Sequence, residues 1–154
     1  MKEILFKLNE FCRVNCIEYT VTGTTALYLL GVPSNFAPQD IDIKVYHLTE
    51  EQAKKLEEFQ FLAGLKNENY EPGQCFSFII DGVKINAIVD KTKNYSEILA
   101  QSISINFIDE KNAKHHLINV QLVNLALADK MKLKRSKDKN YMFNLIYNLI
   151  SLNV

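Results

Sequence analysis

Gly23 is the residue around which this chain has to arrange itself. Ahead of it, Ile17 to Thr22 alternates and is rich in β-branched side chains, which reads as a strand. Behind it, Thr24 or Thr25 can cap a short apolar helix that runs to Gly31. A loop with Pro33 and Pro38 follows. Asp40-Ile41-Asp42-Ile43 then opens a second strand expected to reach Tyr46. Residues two apart on a strand face the same way, so Asp40 and Asp42 project from one face and Ile41, Ile43 and Val45 from the other.

Two carboxylates this close repel each other unless a cation lies between them. A hard divalent ion such as Mg²⁺ resolves the conflict, because it takes oxygen ligands and shares the phosphate oxygens of a nucleotide. The Gly23-Thr24 turn offers the complement. Free N–H groups at a helix start favour phosphate, and glycine lets a ligand approach the backbone closely. The plain alternative is a strand with one solvated face, on which both acids are simply exposed.

The rest of the chain supplies a scaffold. Residues 3 to 15 place Ile4, Leu5, Leu8, Phe11 and Cys12 on one helical face. Thr49-Glu50-Glu51-Gln52 reads as a capping box that opens a helix to about Leu62. Strands at 75–80 and 83–89 flank Asp81-Gly82, a strong hairpin signal. A short helix is expected at 95–100, a strand at 102–108, and helices at 120–133 and 140–152. This order argues for one α/β (α+β) domain over residues 1–154, with a short mixed sheet, helices on one side and C-terminal helices.

Lys+Arg and Asp+Glu number 18 each, so no whole-molecule field attracts nucleic acid and any phosphate site must be local. A local cluster exists: Lys130 to Lys139 holds six basic residues and one acid. Lys130, Lys134 and Lys137 share a face if the helix continues. A solvated helix end, where cations suit the dipole, is the alternative. Three cysteines (Cys12, Cys16, Cys75) with no zinc spacing read as buried or half-buried free thiols in a reducing cytoplasm. The N-terminus has no secretory pattern, and no apolar run approaches the ~20 residues of a membrane span. His115-His116 reads as a surface loop. Tyr19, Tyr28, Tyr46 and Tyr70 are candidates to stack a base. In the last helix, Asn140, Asn144, Asn148 and Ser151 form a polar stripe within a wide apolar surface. Such a surface suggests burial on two sides, in the core and at a homodimer contact.

The stretch GTTALYLLG…PQDIDI resembles the first motif of the nucleotidyltransferase (polymerase-beta-like) superfamily. Its spelling is most similar to the small bacterial branch of aminoglycoside and lincosamide nucleotidyltransferases and AbiEii-type toxins. The resemblance implies the nucleotidyltransferase fold and Mg²⁺-dependent (or Mn²⁺-dependent) transfer of a nucleoside monophosphate from an NTP. It implies metal binding by Asp40 and Asp42, and phosphate binding by Gly23, Thr24, Thr25, Lys130 and Lys137, with Asp138 supporting the site. The acceptor, whether small molecule, protein or tRNA, is not implied.

The third carboxylate of the family pattern falls on Asn86, an amide, in the strand Val83 to Asp90. An amide oxygen can ligate a cation but cannot act as a general base. Asp90, Glu68 or Glu71 are the acids that could enter instead, while Asp81 reads as a turn former. A second acid-to-amide change falls on Asn140, and Phe36 and Pro38 depart from the usual loop. Two readings follow: a transferase, or a nucleotide-binding or interaction module that has lost transfer.

Overall fold

The computed structural model describes residues 1–33, 37–133 and 135–152. In chain order the elements are α1 (Lys2–Val14), β1 (Glu18–Thr22), α2 (Gly23–Leu29), β2 (Ile41–Tyr46), α3 (Glu50–Ala63), β3 (Cys75–Ile80) and β4 (Val83–Val89). They continue as α4 (Tyr95–Ala100), β5 (Ser102–Asp109), β6 (Lys114–Gln121), α5 (Val123–Leu133) and α6 (Ser136–Leu152). The six strands form one mixed sheet in the order β3-β4-β2-β1-β6-β5. β2 runs parallel to β4 and β1 parallel to β6, while the remaining neighbours are antiparallel.

Alternation decides which face is covered. Val21, Ile43, Val45, Ile85, Ala87, Ile118 and Val120 point to one side and pack with Leu5, Leu8 and Cys12 of α1, Ala26 of α2 and Leu56 of α3. Each fully buried Leu or Ile contributes about 1.5–3 kcal/mol relative to exposure. Thr20, Thr22, Asp42, Lys44 and Asn86 lie on the opposite face, with Ile88 beside Lys44. α4 lies on that side, where Ile98 lines a small cavity together with Thr20, Lys44 and Tyr46. A second cluster joins Leu27 of α2 to Ala126 of α5 and to Tyr141 and Leu145 of α6.

The local signals act as expected at two joints. Thr49 Oγ1 accepts from the Gln52 backbone N–H at 3.2 Å, and Gln52 Oε1 accepts from that of Thr49 at 2.8 Å, closing the capping box. Asp81 and Gly82 have φ of 48° and 79°, as a two-residue hairpin turn with both centres left-handed requires.

The C-terminal third differs from the sequence expectation. A strand, β6, precedes α5, and His115-His116 lies within it rather than in a surface loop. His116 is buried and stacks on Phe6 of α1 with centroids 4.5 Å apart, whereas His115 is exposed. The strand turns His116, Ile118 and Val120 inward and leaves Leu117 outside. That pattern was masked by its charged start. α6 begins at Ser136, four residues ahead of the expected Asn140. α5 ends at Leu133, so Lys130 and Lys137 stand on different helices; Lys134 lies outside the described residues, as does Phe36. Cys12 and Cys75 are buried and unbridged, but Cys16 is exposed. Burial pushes the Cys12 thiol up to about 12.

Candidate functional site

The site begins as one row of the sheet. Thr22 of β1 pairs with Asp42 of β2, Asp42 with Asn86 of β4, and Asn86 with Ser77 of β3. Four polar side chains from four strands thus lie in register on the face opposite the core. Asp40, the expected strand start, sits in a bend, and β2 begins one residue later at Ile41. Thr25 fixes that bend by donating from Oγ1 to the Asp40 backbone oxygen at 3.1 Å. Thr22 does the same for Asp42, from Oγ1 to its backbone oxygen at 3.2 Å.

Asn86 joins the two acids. Its Nδ2 donates to Asp42 Oδ1 at 2.8 Å and to Asp40 Oδ2 at 3.3 Å. Ionised carboxylates only accept hydrogen bonds, so the amide nitrogen must face them and its oxygen must face away. That oxygen meets Ser77 Oγ, which donates at 2.8 Å. Ser77 is fully buried and also lies 2.7 Å from Asn67 Oδ1. Its single proton is shared between the two amide oxygens. Behind it, Gln60 Oε1 accepts from Asn67 Nδ2 at 2.7 Å and from the Ser77 backbone N–H at 2.8 Å. Burial raises the Asp42 pKa above the ordinary carboxylate value. The Asn86 hydrogen bond opposes this, the Asp40 charge adds to it, and Lys137 and Arg135 oppose it from a distance.

The turn at α2 closes the other side. Gly23 has φ +64°, and a Cβ placed on it would stand 3.3 Å from Asp42 Oδ2. Above the turn, Lys130 Nζ donates to Thr24 Oγ1 at 2.7 Å and to Asp138 Oδ1 at 3.2 Å, and lies 4.5 Å from the Tyr141 ring centroid. Arg135 Nε donates to Asp138 Oδ2 at 2.6 Å. Burial tends to raise the Asp138 pKa, but the hydrogen bonds from Arg135 and Lys130 outweigh it and hold the carboxyl below its ordinary range.

The structure therefore brings together Gly23, Thr24, Asp40, Asp42, Asn86, Lys130 and Asp138. Lys137 is exposed and close enough for its charge to act on Asp42. Thr25 is buried, and its hydroxyl is committed to the Asp40 bend rather than open to a phosphate. Asp90 does not join the acids. It follows the far end of β4, accepts from the Thr92 backbone N–H at 2.9 Å, and faces Lys44 and Lys93 across a small polar cavity. Glu68 and Glu71 are exposed in the 64–74 loop. Asn140 is exposed on α6. Of the four tyrosines, Tyr19 and Tyr46 are buried in the fold and Tyr28 is exposed on α2. Tyr70 is partly exposed and near enough to Asp42 to feel its charge.

The donor set defines what can bind. Two carboxylates beside an open glycine turn fit one hard divalent ion that also takes phosphate oxygens. Among the described residues no three His, Cys, Asp or Glu side chains converge. Ser77, Asn67 and Gln60 were not singled out from sequence. A signal for Ser77 existed: a two-residue turn at Asp81-Gly82 places 80 opposite 83, and therefore 77 opposite 86.

No protein-family model and no curated protein matches the chain. Solved structures do. One, provisionally assigned as a nucleotidyltransferase from Thermotoga maritima, is 18% identical, with a TM-score of 0.53 over 90% of this chain and 87% of that one. Another, an antigenic nucleotidyltransferase-like protein from Paracoccidioides brasiliensis, is 13% identical, with a TM-score of 0.56 over 94% of this chain and 73% of that one. The fold of this chain is that of the nucleotidyltransferases. Among the described residues, no helix is long and apolar enough to cross a membrane.

Proposed function

We propose that the protein binds a nucleoside triphosphate with Mg²⁺ or Mn²⁺ and transfers its nucleoside monophosphate to an acceptor. The observation that carries this reading is the meeting of Asp40 and Asp42 with the Gly23-Thr24 turn beneath Lys130. In this reading the two aspartates hold the ion. The Gly23 and Thr24 backbone faces the phosphates, and Lys130 and Lys137 offset their charge. The divalent ion supplies Lewis-acid stabilisation of the transferring phosphoryl group. The chain's own part is to align the triphosphate between the acids and the lysines and to stabilise charge as the leaving group departs. Tyr70 is the aromatic side chain best placed to stack a base. The unbridged thiols suit a cytoplasmic setting.

The reading is tested by titrating ATP, GTP, CTP and UTP with Mg²⁺ and then measuring pyrophosphate release with pools of small molecules, proteins and tRNA as acceptors. Asp40→Ala and Asp42→Ala should lower release by ~10²-fold or more. Absence of nucleotide binding in the wild type would overturn the reading.

One observation favours a second reading. Asn86 turns an N–H donor toward the acids and cannot take a proton from an acceptor, which suits a nucleotide-binding or interaction module without transfer. Nucleotide binding without pyrophosphate release from any pool would support the module.

α6 carries a surface that suits a partner. Phe143, Ile146, Tyr147 and Ile150 are exposed on one stripe at helical spacing. A second copy of this chain is the partner we assign to it, giving a homodimer.

A further inference from the structure

We propose that the site takes a single divalent cation per bound nucleotide, because Asn86 sets a hydrogen-bond donor where a two-cation site needs a third carboxylate. The inference rests on the nucleotidyl-transfer reading and narrows it. Two divalent ions roughly 3.5–4 Å apart bring four positive charges into one site. A third carboxylate on β4 would share both and offset part of that charge. Here the matching side chain is neutral, and its Nδ2 already lies 2.8 Å from Asp42 Oδ1 and 3.3 Å from Asp40 Oδ2. The amide thus occupies the gap between the acids with partial positive charge.

The amide is also held that way round. Ser77 Oγ donates to Asn86 Oδ1, and Ser77 is itself fixed by Asn67 and, through its backbone N–H, by Gln60. A second cation would have to displace the donor and would gain no charged ligand in return. One cation remains accommodated, because each aspartate has a second oxygen and the nucleotide brings phosphate oxygens of its own. Asp90 offers no replacement, since it binds Thr92 at the other end of β4.

The test counts cations rather than turnover. The full chain is titrated with Mn²⁺ in the presence of an α,β-non-hydrolysable analogue of each of the four nucleoside triphosphates. Bound ion is read by electron paramagnetic resonance against a protein-free nucleotide control. The wild type should hold one Mn²⁺ per protein–nucleotide complex, with no spin coupling. N86D should hold two, with a coupled spectrum, and its melting temperature should rise more steeply with Mn²⁺ than that of the wild type. Two coupled ions in the wild type would overturn the single-cation inference and leave nucleotidyl transfer standing. So would a folded N86D that still holds one. Should N86D not fold, the wild-type count decides alone. No Mn²⁺ bound with any analogue would overturn the nucleotidyl-transfer reading and this inference with it.

Discussion

Lys130 of α5 donates to Thr24 Oγ1 in the first turn of α2 at 2.7 Å, across 106 positions of sequence. The same ammonium meets Asp138 of α6, so one buried side chain ties three helices together at the edge of the site. Lys130→Met keeps the aliphatic stem and removes the charge, leaving Asp138 with Arg135 alone. Breaking a buried pair from one side costs on the order of 3 kcal/mol, less here to the extent that Arg135 compensates. Urea melts should show that loss, and nucleotide affinity should fall by about tenfold or more, equivalent to ~1.4 kcal/mol.

Gly23 and Gly31 make a matched pair. Both have left-handed φ, +64° and +75°, but only Gly23 would press a Cβ against Asp42. Alanine at either position should cost ~1–2 kcal/mol of stability from the backbone alone. Nucleotide binding should drop in Gly23→Ala and persist in Gly31→Ala. Equal binding by the two variants would separate the turn from the site.

Asp138 gives a pH signature. Its folded pKa is depressed, so its stabilising contribution is present above the ordinary carboxylate value, near 3.9, and is lost as pH falls through the lower folded value. The stability gap between wild type and Asp138→Asn should be wide at pH 7 and close in strong acid. Denaturant melts across pH 2–7 will measure it.

Asp42 has the opposite sign. Burial raises its folded pKa, so the cost of ionising it is absent below the ordinary value and appears as pH rises through the folded one. In the absence of divalent ions, Asp42→Asn should raise the melting temperature at pH 7 and leave it little changed at pH 3. Mg²⁺ with nucleotide should stabilise the wild type and not the variant.

Ile146 lies mid-stripe on α6. Ile146→Lys should convert a dimer to a monomer in sedimentation velocity while leaving the melting temperature within about 1 kcal/mol equivalent of wild type, as surface substitutions do. A wild type that remains monomeric at high concentration would remove the homodimer proposal.

Much of the N-terminal half was legible because its signals are local. The break at Gly23, the Thr49 cap and the Asp81-Gly82 turn each fix a joint within a few residues. Alternation set the faces of the acids and of Asn86 within their own strands, but their meeting was visible only through family resemblance, because it depends on β2 pairing with β4. The C-terminal third was harder. β6 starts with Lys114-His115-His116, and its inward His116 is matched to Asn9 of α1, 107 positions away, so periodicity alone gave little warning. The placement of Lys130 beside the α2 turn was suggested only by family resemblance, because its partners Thr24 and Asp138 come from two other elements. The Gln60–Asn67–Ser77 support was missed because polar side chains in a helix, a loop and a strand carry no shared pattern until the sheet aligns them.

The row Thr22, Asp42, Asn86, Ser77 lies wholly within residues 18–89, whereas Lys130, Arg135 and Asp138 come much later. During synthesis the acids can therefore be assembled while their basic counterpart is still inside the ribosome. A nascent chain at that stage presents bare carboxylates with no lysine above the turn. In the proposed function, competence for a triphosphate would arrive only with α5 and α6, which would make that segment a timer on the site as well as a part of it.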